Sequence, residues 1–385
     1  MFNFRKLLPI TLAVIMLVST ASAASAATAV VKVDGVTVTT DIAPSVSGGD
    51  ALVSLKTLQN GLGADTNYSA SQKKITVKSA AHTFQFTLDS AKYTLDGVEK
   101  TAATAPKLYD KKPLVSIKTV AEGMGGTVVI SAGAINVSYF SKMKGNVKIT
   151  GSTTLQPIAQ AAADKLNKMN ADLTISVAGG GSGAGVNDTI DGTNNLGMSS
   201  RALTSNEKAK ITPVAVANDG IAIIVHPSNG VKNLTKEQAA KIFLGEIKNW
   251  KEVGGENAPI LVQTRETGSG TRATLEELLL EKKSIVESAT PSASSALIKQ
   301  AVARDKNAIG YDSVGFVDKT VKVVSINNVK PTDTTVKGGA YIMGRALYIL
   351  TNGVPKDASA MFIDYLKTAD CQKNIVSREG YIKLR

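Results

Sequence analysis

The sequence predicts an α/β fold preceded by a duplicated α+β unit, and three observations carry that prediction. From Lys144 onward, short apolar runs alternate with stretches whose apolar residues recur at helical spacing. Ahead of that region, between about residues 29 and 141, the chain repeats itself. In the α/β region, several strand ends run into loops of Gly, Ser and Thr that open a helix.

The first segment lies outside either fold. "MFNFRKLLPITLAVIMLVSTASAASAATAV" has a basic start (Arg5, Lys6), an apolar run from Leu7 to Val18 and small residues ending at Ala23 or Ala26. Residues 1–26 therefore read as a secretory signal peptide, with an apolar part too short to span a bilayer comfortably. The mature chain is expected to be exported and extracytoplasmic, whether at the cell surface, secreted or periplasmic. Cys371 is the single cysteine, which excludes a disulfide framework and leaves no cysteine near the cleavage site for a lipid anchor.

At 385 residues, with 43% hydrophobic and 20% charged content, the chain is long enough for two or three domains with real cores. Its formal charge is +12, or +10 once Arg5 and Lys6 leave with the signal peptide. That sign favours anionic partners: an anionic ligand, or anionic polymers of the envelope. Aromatic residues make up only 5% and no basic-aromatic cluster occurs, so nucleic acid is not an expected partner. The protein is expected to act as a monomer.

The duplication has an offset of 62 residues, Gly35 recurring as Gly97. "APSVSGGDALVSLKTLQNGLGA" recurs as "APKLYDKKPLVSIKTVAEGMGG", so that Gly61 and Gly63 match Gly123 and Gly125. Each copy reads as short strands, a helix opening near the LVS segment, a glycine stop and a strand pair such as "KKITVKS". Two copies are expected to pack on each other because neither buries its apolar face alone. Residues 29–141 resemble the copper amine oxidase N-terminal-like domain, a resemblance that implies a stalk or wall-facing module. It imports no metal: His82 and His226 lie in different regions without ligand spacing, and neither metal nor cofactor is expected.

In the α/β region, "VKIT", "LTISV", "IAIIV", "ILVQT", "VKVVSI" and "ALYILT" are the strand candidates. In "ITGSTTLQPIAQAAADKLNKM", Ile158, Ala162, Leu166 and Met169 share one helical face, which starts the helix near Thr154. Ser152, Thr153 and Thr154 then either cap that helix or offer hydroxyl and NH groups to an anion. "SVAGGGSGAGVNDTI" places Ser182 among glycines that allow close backbone approach. It lacks the Lys followed by Ser or Thr of a phosphate-gripping P-loop, which excludes nucleotide hydrolysis. "LGMSSRAL" contributes Ser199, Ser200 and Arg201. "TRETGSGTRATLEELL" sets Gly268, Ser269, Gly270 and Thr271 between Arg265 and Arg272, ahead of a helix whose buried face is Leu275, Leu278 and Leu279.

"GSTTLQP", "GGGSGAG", "GMSSR", "IFLGEIKNWKEVGG", "TRETGSGT" and the late "VSREGYIKL" occur in that order, and together residues 144–385 resemble the phosphate-binding proteins of phosphate ABC importers. The resemblance implies a two-lobed periplasmic-binding-protein (type II) fold. One lobe would take roughly residues 144–216 plus the C-terminal part, the other roughly 217–325. "TKEQAAKIFLGEIKNW" fits a helix capped by Thr235 with Gln238 and stopped at Gly245, followed by Trp250 in a packing role. Also implied are inorganic phosphate as ligand, a membrane permease as partner and no catalysis. Carried over by position, Thr153 gives a hydroxyl, Thr154 a backbone NH, Ser182 a hydroxyl and Arg265 the guanidinium. Ser152 belongs to the first loop of that site, and Ser269, Gly270 and Thr271 complete the grip.

The pattern departs at Ser200, followed by Arg201, where many family members carry an aspartate that accepts the proton of hydrogen phosphate. Asp219, in "VANDGIAIIV", either supplies that acceptor or braces an arginine, or is simply a turn-forming Asp-Gly pair. Another tetrahedral oxyanion (sulfate, molybdate) and a wall-associated surface protein stay open as alternatives. A phosphohydrolase would need a metal cluster or an activated nucleophile. The chain has no HExxH motif, and neither histidine lies near the helix-opening serine loops of the α/β region in sequence.

Overall fold

Ser54 and Ser116 end equivalent strands and begin equivalent helices, so the repeat detected in sequence is also a repeat of capping chemistry. In the computed structural model, which describes residues 29–131 and 133–385, the Ser54 hydroxyl accepts from the Thr57 backbone N–H at 3.2 Å, and that of Ser116 from the Thr119 N–H at 2.9 Å. The helices they open are Leu55–Leu62 and Ile117–Gly123. The strands they end, Asp50–Ser54 and Lys112–Ser116, pair antiparallel with each other, Val53 opposite Val115. The two copies are thus joined through corresponding strands. Strand Val30–Val33 from the first copy also pairs with Ala134–Ser138 at the end of the second. Between them runs a five-stranded meander from Asp65 to Thr101, whose inner face stacks Phe84, Phe86 and Tyr93. The signal peptide expected over residues 1–26 lies outside the described residues.

The α/β region is one ten-stranded sheet that bends into two lobes. All six strand candidates are present, and the sequence does not signal Leu196–Ser199, Asn233–Leu234, Thr290–Ser292 and Ala308–Ser313. The connection between lobes is the 14-residue strand Thr212–Val225. Its first part pairs with Gly344–Thr351 in the first lobe, and from Ile221 it pairs with Ala308–Ser313 in the second. Both crossing strands change lobes at one place, where Asp219 sits opposite Arg345. The second-lobe core runs from Ile221 to Met343, so that lobe extends past the expected limit at residue 325. The reason is visible at Tyr341, which is buried there and donates its hydroxyl to the Ile221 carbonyl at 2.6 Å.

Helix Gln156–Met169 begins two residues after the expected Thr154, because Thr153 to Leu155 form a turn. It buries Ile158, Ala162 and Leu166 on the expected face, and each large aliphatic chain contributes about 1.5–3 kcal/mol by leaving water. Thr235 and Gln238 form the expected capping box on helix Lys236–Phe243, and Gly245 turns the chain at φ 77°. Trp250 is buried in the second-lobe core, its indole N–H donating to the Asn307 carbonyl at 3.0 Å. Among the described residues no helix is long and apolar enough to cross a membrane.

The N-terminal unit, which the resemblance implies is a stalk or wall-facing module, packs directly on the first lobe: Val31, Leu58 and Phe140 belong to the same continuous core as Val147, Leu166 and Phe362. Asp364, fully buried at the seam, accepts from the Ala80 N–H at 2.8 Å and from the Tyr139 hydroxyl at 3.0 Å. Burial pushes its carboxyl up to about 7. Beside it, Asp65 pairs with Lys367 at 2.5 Å and Arg385 at 3.1 Å. Gly63 ends its helix with φ 70°, and a Cβ there would stand 1.9 Å from the Asp364 carbonyl oxygen. Replacement Gly63→Ala should therefore destabilise the protein by more than about 1 kcal/mol, from left-handed strain plus the clash. Thermal unfolding of the full chain would show a lowered midpoint, and an unchanged midpoint would refute the close approach of Gly63 to Asp364.

Candidate functional site

The small-residue loops that open helices meet at the crossing point of the two lobes. From the first lobe come the turn at Ser152–Thr154, the N-terminus of helix Ser182–Asp191, and Ser199–Ser200. From the second come Arg265, the N-terminus of helix Gly270–Leu278, and the N-terminus of helix Ser295–Arg304. Helix N-termini present unpaired N–H groups and the positive end of the peptide dipole, so their meeting builds a region suited to negative charge.

The contacts between lobes are close. Thr154 Oγ1 lies 3.0 Å from Thr271 Oγ1 and 3.4 Å from Ser295 Oγ. A Cβ on Gly270 would fall 2.3 Å from Ser182 Oγ and 2.6 Å from Ser200 Oγ, so only glycine admits this approach. The Gly183 N–H donates directly to the Gly268 carbonyl at 2.9 Å, which makes the cleft closed.

Two buried guanidinium groups line it. Arg265, 1% exposed, donates to Ser295 Oγ and Thr153 Oγ1, each at 3.0 Å, and pairs with Glu266 at 2.8 Å. Tyr311 fixes its backbone by accepting the Arg265 N–H at 3.1 Å. Arg345 donates to the Ser200 carbonyl at 2.9 Å and to Thr271 Oγ1 at 3.1 Å, touching one element of each lobe. Its other N–H groups go to Asp219 Oδ2, at 2.7 and 2.9 Å, while Asp219 Oδ1 accepts from Ser313 at 2.6 Å. The Tyr381 hydroxyl donates to the Thr154 carbonyl at 2.6 Å and secures the first loop from the C-terminal segment.

Of the residues expected here, the structure brings together Thr153, Thr154, Ser182, Ser200, Arg265, Gly270 and Thr271. Ser269 stands at the same place as the helix cap, its hydroxyl accepting from the Arg272 N–H. Asp219 takes the second of its expected roles and braces an arginine. Two expectations are corrected. Arg201 turns away to Glu207, held at 2.7 and 2.8 Å, and its guanidinium pulls the Glu207 carboxyl down to about 2. Ser152 uses its hydroxyl to cap the Leu155 N–H at 3.3 Å rather than to face the cleft. Arg272, to which the sequence assigns no role, donates to the Arg265 carbonyl at 3.2 Å and pairs with Glu276.

Sequence reading missed Arg345, Glu266 and Ser295. Ser295 did carry a signal, since "PSASSALIK" is another small-residue loop that opens a helix. His82 pairs with Asp96 and His226 with Ser228, both away from the cleft.

Comparison with known proteins gives a consistent picture. The PBP superfamily domain matches residues 131–370, and the copper amine oxidase N-terminal domain matches residues 32–139. The phosphate-binding protein PstS of Bacillus subtilis is 36% identical over 247 residues, covering 63% of this chain and 81% of that protein. PstS of Borreliella burgdorferi is 30% identical, covering 62% of this chain and 90% of that one. Among solved structures, a phosphate ABC transporter substrate-binding protein of Clostridium perfringens with bound phosphate is 36% identical, with a TM-score of 0.60 over 63% of this chain and all of that one. An ABC-type phosphate transport receptor of Vibrio cholerae is 34% identical, with a TM-score of 0.54 over 61% of this chain and 99% of that one. A two-lobed sheet crossed by two strands, a cleft of helix N-termini and these relatives together place the chain in the PBP superfamily and, within it, in the PstS family of phosphate-binding proteins.

Proposed function

We propose that this protein is an extracytoplasmic solute-binding protein that captures inorganic phosphate between its lobes and delivers it to the permease of an ABC importer. The observation that carries the reading is the closed cleft itself, where hydroxyls and N–H groups from both lobes surround two buried guanidinium groups. Thr153, Thr154, Ser182, Ser200, Arg265, Ser269, Gly270 and Thr271 are the proposed ligand contacts, with Ser295 and Arg345 added from the structure. The chemistry is that of binding: donors and fixed positive charge, without a nucleophile set against a base. Closing joins the two halves of the donor set, so occupancy is coupled to the relative position of the lobes, and the closed form is what a permease can recognise. The names of the Bacillus and Clostridium relatives support phosphate as the ligand.

A second reading, another tetrahedral oxyanion, is favoured by one observation: Ser182 faces the Ser200 hydroxyl at 3.2 Å, where a carboxylate would discriminate against sulfate. Calorimetric titration of the mature full-length chain, refolded to remove bound ligand, separates the two. Phosphate binding with little response to sulfate at pH 8 supports capture of phosphate, and no response to phosphate sinks it.

Three substitutions test the residue assignment. Arg265→Ala removes at least two charge-assisted hydrogen bonds, each contributing about 1.5–3 kcal/mol, and should weaken phosphate binding by about 100-fold or more. Arg201→Gln should leave phosphate affinity within about twofold, because its guanidinium serves Glu207. Asp219→Ala leaves Arg345 charged and unpaired in the interior and should cost about 3–5 kcal/mol of stability, read by denaturant unfolding.

A further inference from the structure

The seam between the N-terminal unit and the first lobe holds a cavity of about 220 Å³ whose charged lining is entirely cationic. Lys56 enters it from helix Leu55–Leu62, and Lys367, Lys373, Lys383 and Arg385 enter it from the C-terminal part of the first lobe. The rest of the wall is amide side chains and one alanine, with no Asp, Glu or aromatic residue. One carboxylate stands behind it. Asp65 pairs with Lys367 at 2.5 Å and with Arg385 at 3.1 Å, whereas Lys56, Lys373 and Lys383 form no ion pair among the described residues. Five cations against one carboxylate leave an excess of four positive charges around this space. Folding thus gathers like charges that repel one another.

A lysine-rich surface is commonly a solvated face, but this one is held in place. The Gln372 side chain donates to the Val216 and Leu366 carbonyls at 2.8 and 2.7 Å, and its Oε1 accepts the Leu384 N–H at 2.7 Å. Lys383 and Arg385 therefore leave from a backbone segment clamped to the first lobe. Lys367 is 6% exposed, and Arg385 also donates to the Ala64 carbonyl at 3.3 Å. Both parts of the chain build the wall, so neither carries the site alone. The duplication supplies a contrast. Lys118 matches Lys56 at the offset of 62 and holds the same place in helix Ile117–Gly123, yet it does not line the cavity.

We propose that this cavity is a second anion site, which takes a segment of a base-free polymer with phosphodiester groups in its backbone. A lone phosphate group carries about two negative charges at most, half the excess here. Lysines act as point charges suited to a row of singly charged groups, whereas a single dianion is better gripped by the planar fork of arginine. Without an aromatic residue the wall has no platform on which nucleic acid bases stack. Without a large apolar residue it has nothing to insert into a bilayer. A flexible polyanion meets each condition. Its binding relieves the repulsion among the lysines and releases counterions, so affinity falls with salt. The inference does not depend on phosphate capture in the cleft.

The test titrates the mature full-length chain with fluorescently labelled poly(glycerol phosphate), with inorganic phosphate present so that the cleft does not compete. The wild type should bind at low ionic strength and lose about tenfold or more in affinity between about 50 and 200 mM salt. Lys56→Glu and Lys383→Glu should each weaken binding by about tenfold, while Lys118→Glu, with the same change of net charge, should stay within about twofold. Lys56 and Lys118 both lie in the first turn of a helix, where glutamate complements the dipole, so the two variants should fold alike. If Lys56→Glu does not fold, Lys383→Glu decides. Equal losses in Lys56→Glu and Lys118→Glu would mean charge attraction without a site and overturn the proposal. So would absent binding by the wild type at low salt, tighter binding to oligothymidylate, or binding to phosphatidylglycerol–phosphatidylcholine vesicles but not to the polymer. A chain that binds the polymer as expected but never binds phosphate would refute phosphate capture and uphold the seam site.

Discussion

Where the two crossing strands change lobes, two N–H groups of Arg345 converge on one oxygen of Asp219, with both side chains nearly or fully buried. Taking two charges out of water costs several kcal/mol each, and attraction repays this only when the geometry is good and the remaining donors are satisfied. Here they are satisfied by the parts that make the site: the Ser200 carbonyl of one lobe and the Thr271 hydroxyl of the other. Register depends on the same pair. A slip of one residue between strands Thr212–Val225 and Gly344–Thr351 would send one partner to the opposite face and leave an uncompensated charge inside. The hinge, the cleft and the placement of the donors therefore share one electrostatic constraint.

The second organising feature is the core that the duplicated unit shares with the first lobe. The duplicated unit satisfies its own symmetry by pairing Asp50–Ser54 with Lys112–Ser116, yet it leaves an apolar side that the first lobe covers. Phe140 packs edge-on against Tyr365, and Asn170 donates to the Phe140 carbonyl at 3.2 Å, so that even the connecting segment is built into the seam.

What could be read from the sequence was what is encoded locally. Caps at Ser54, Ser116 and Thr235, the glycine stops and the small-residue loops all lie within a few residues of the structure they cause. Arg345 was invisible because it sits inside an ordinary apolar strand, and its role comes from a partner 126 residues away. Arg201 was misread by adjacency to Ser200. Its true partner was within reach of local reading, because Thr204 and Glu207 form a capping box whose carboxylate also takes the guanidinium. The fusion of the N-terminal unit could not be read at all, since a shared core is a property of surfaces that meet only after folding.

That fusion is lopsided. The continuous core that holds the N-terminal unit includes the first lobe, whereas the second-lobe core, from Ile221 to Met343, contains none of its residues. The first lobe and the N-terminal unit thus make one heavy frame, and any closure of the cleft brings the second lobe, as a single arm, against it. If that frame is held at the envelope, the state of the cleft is displayed outward as the angle of one arm.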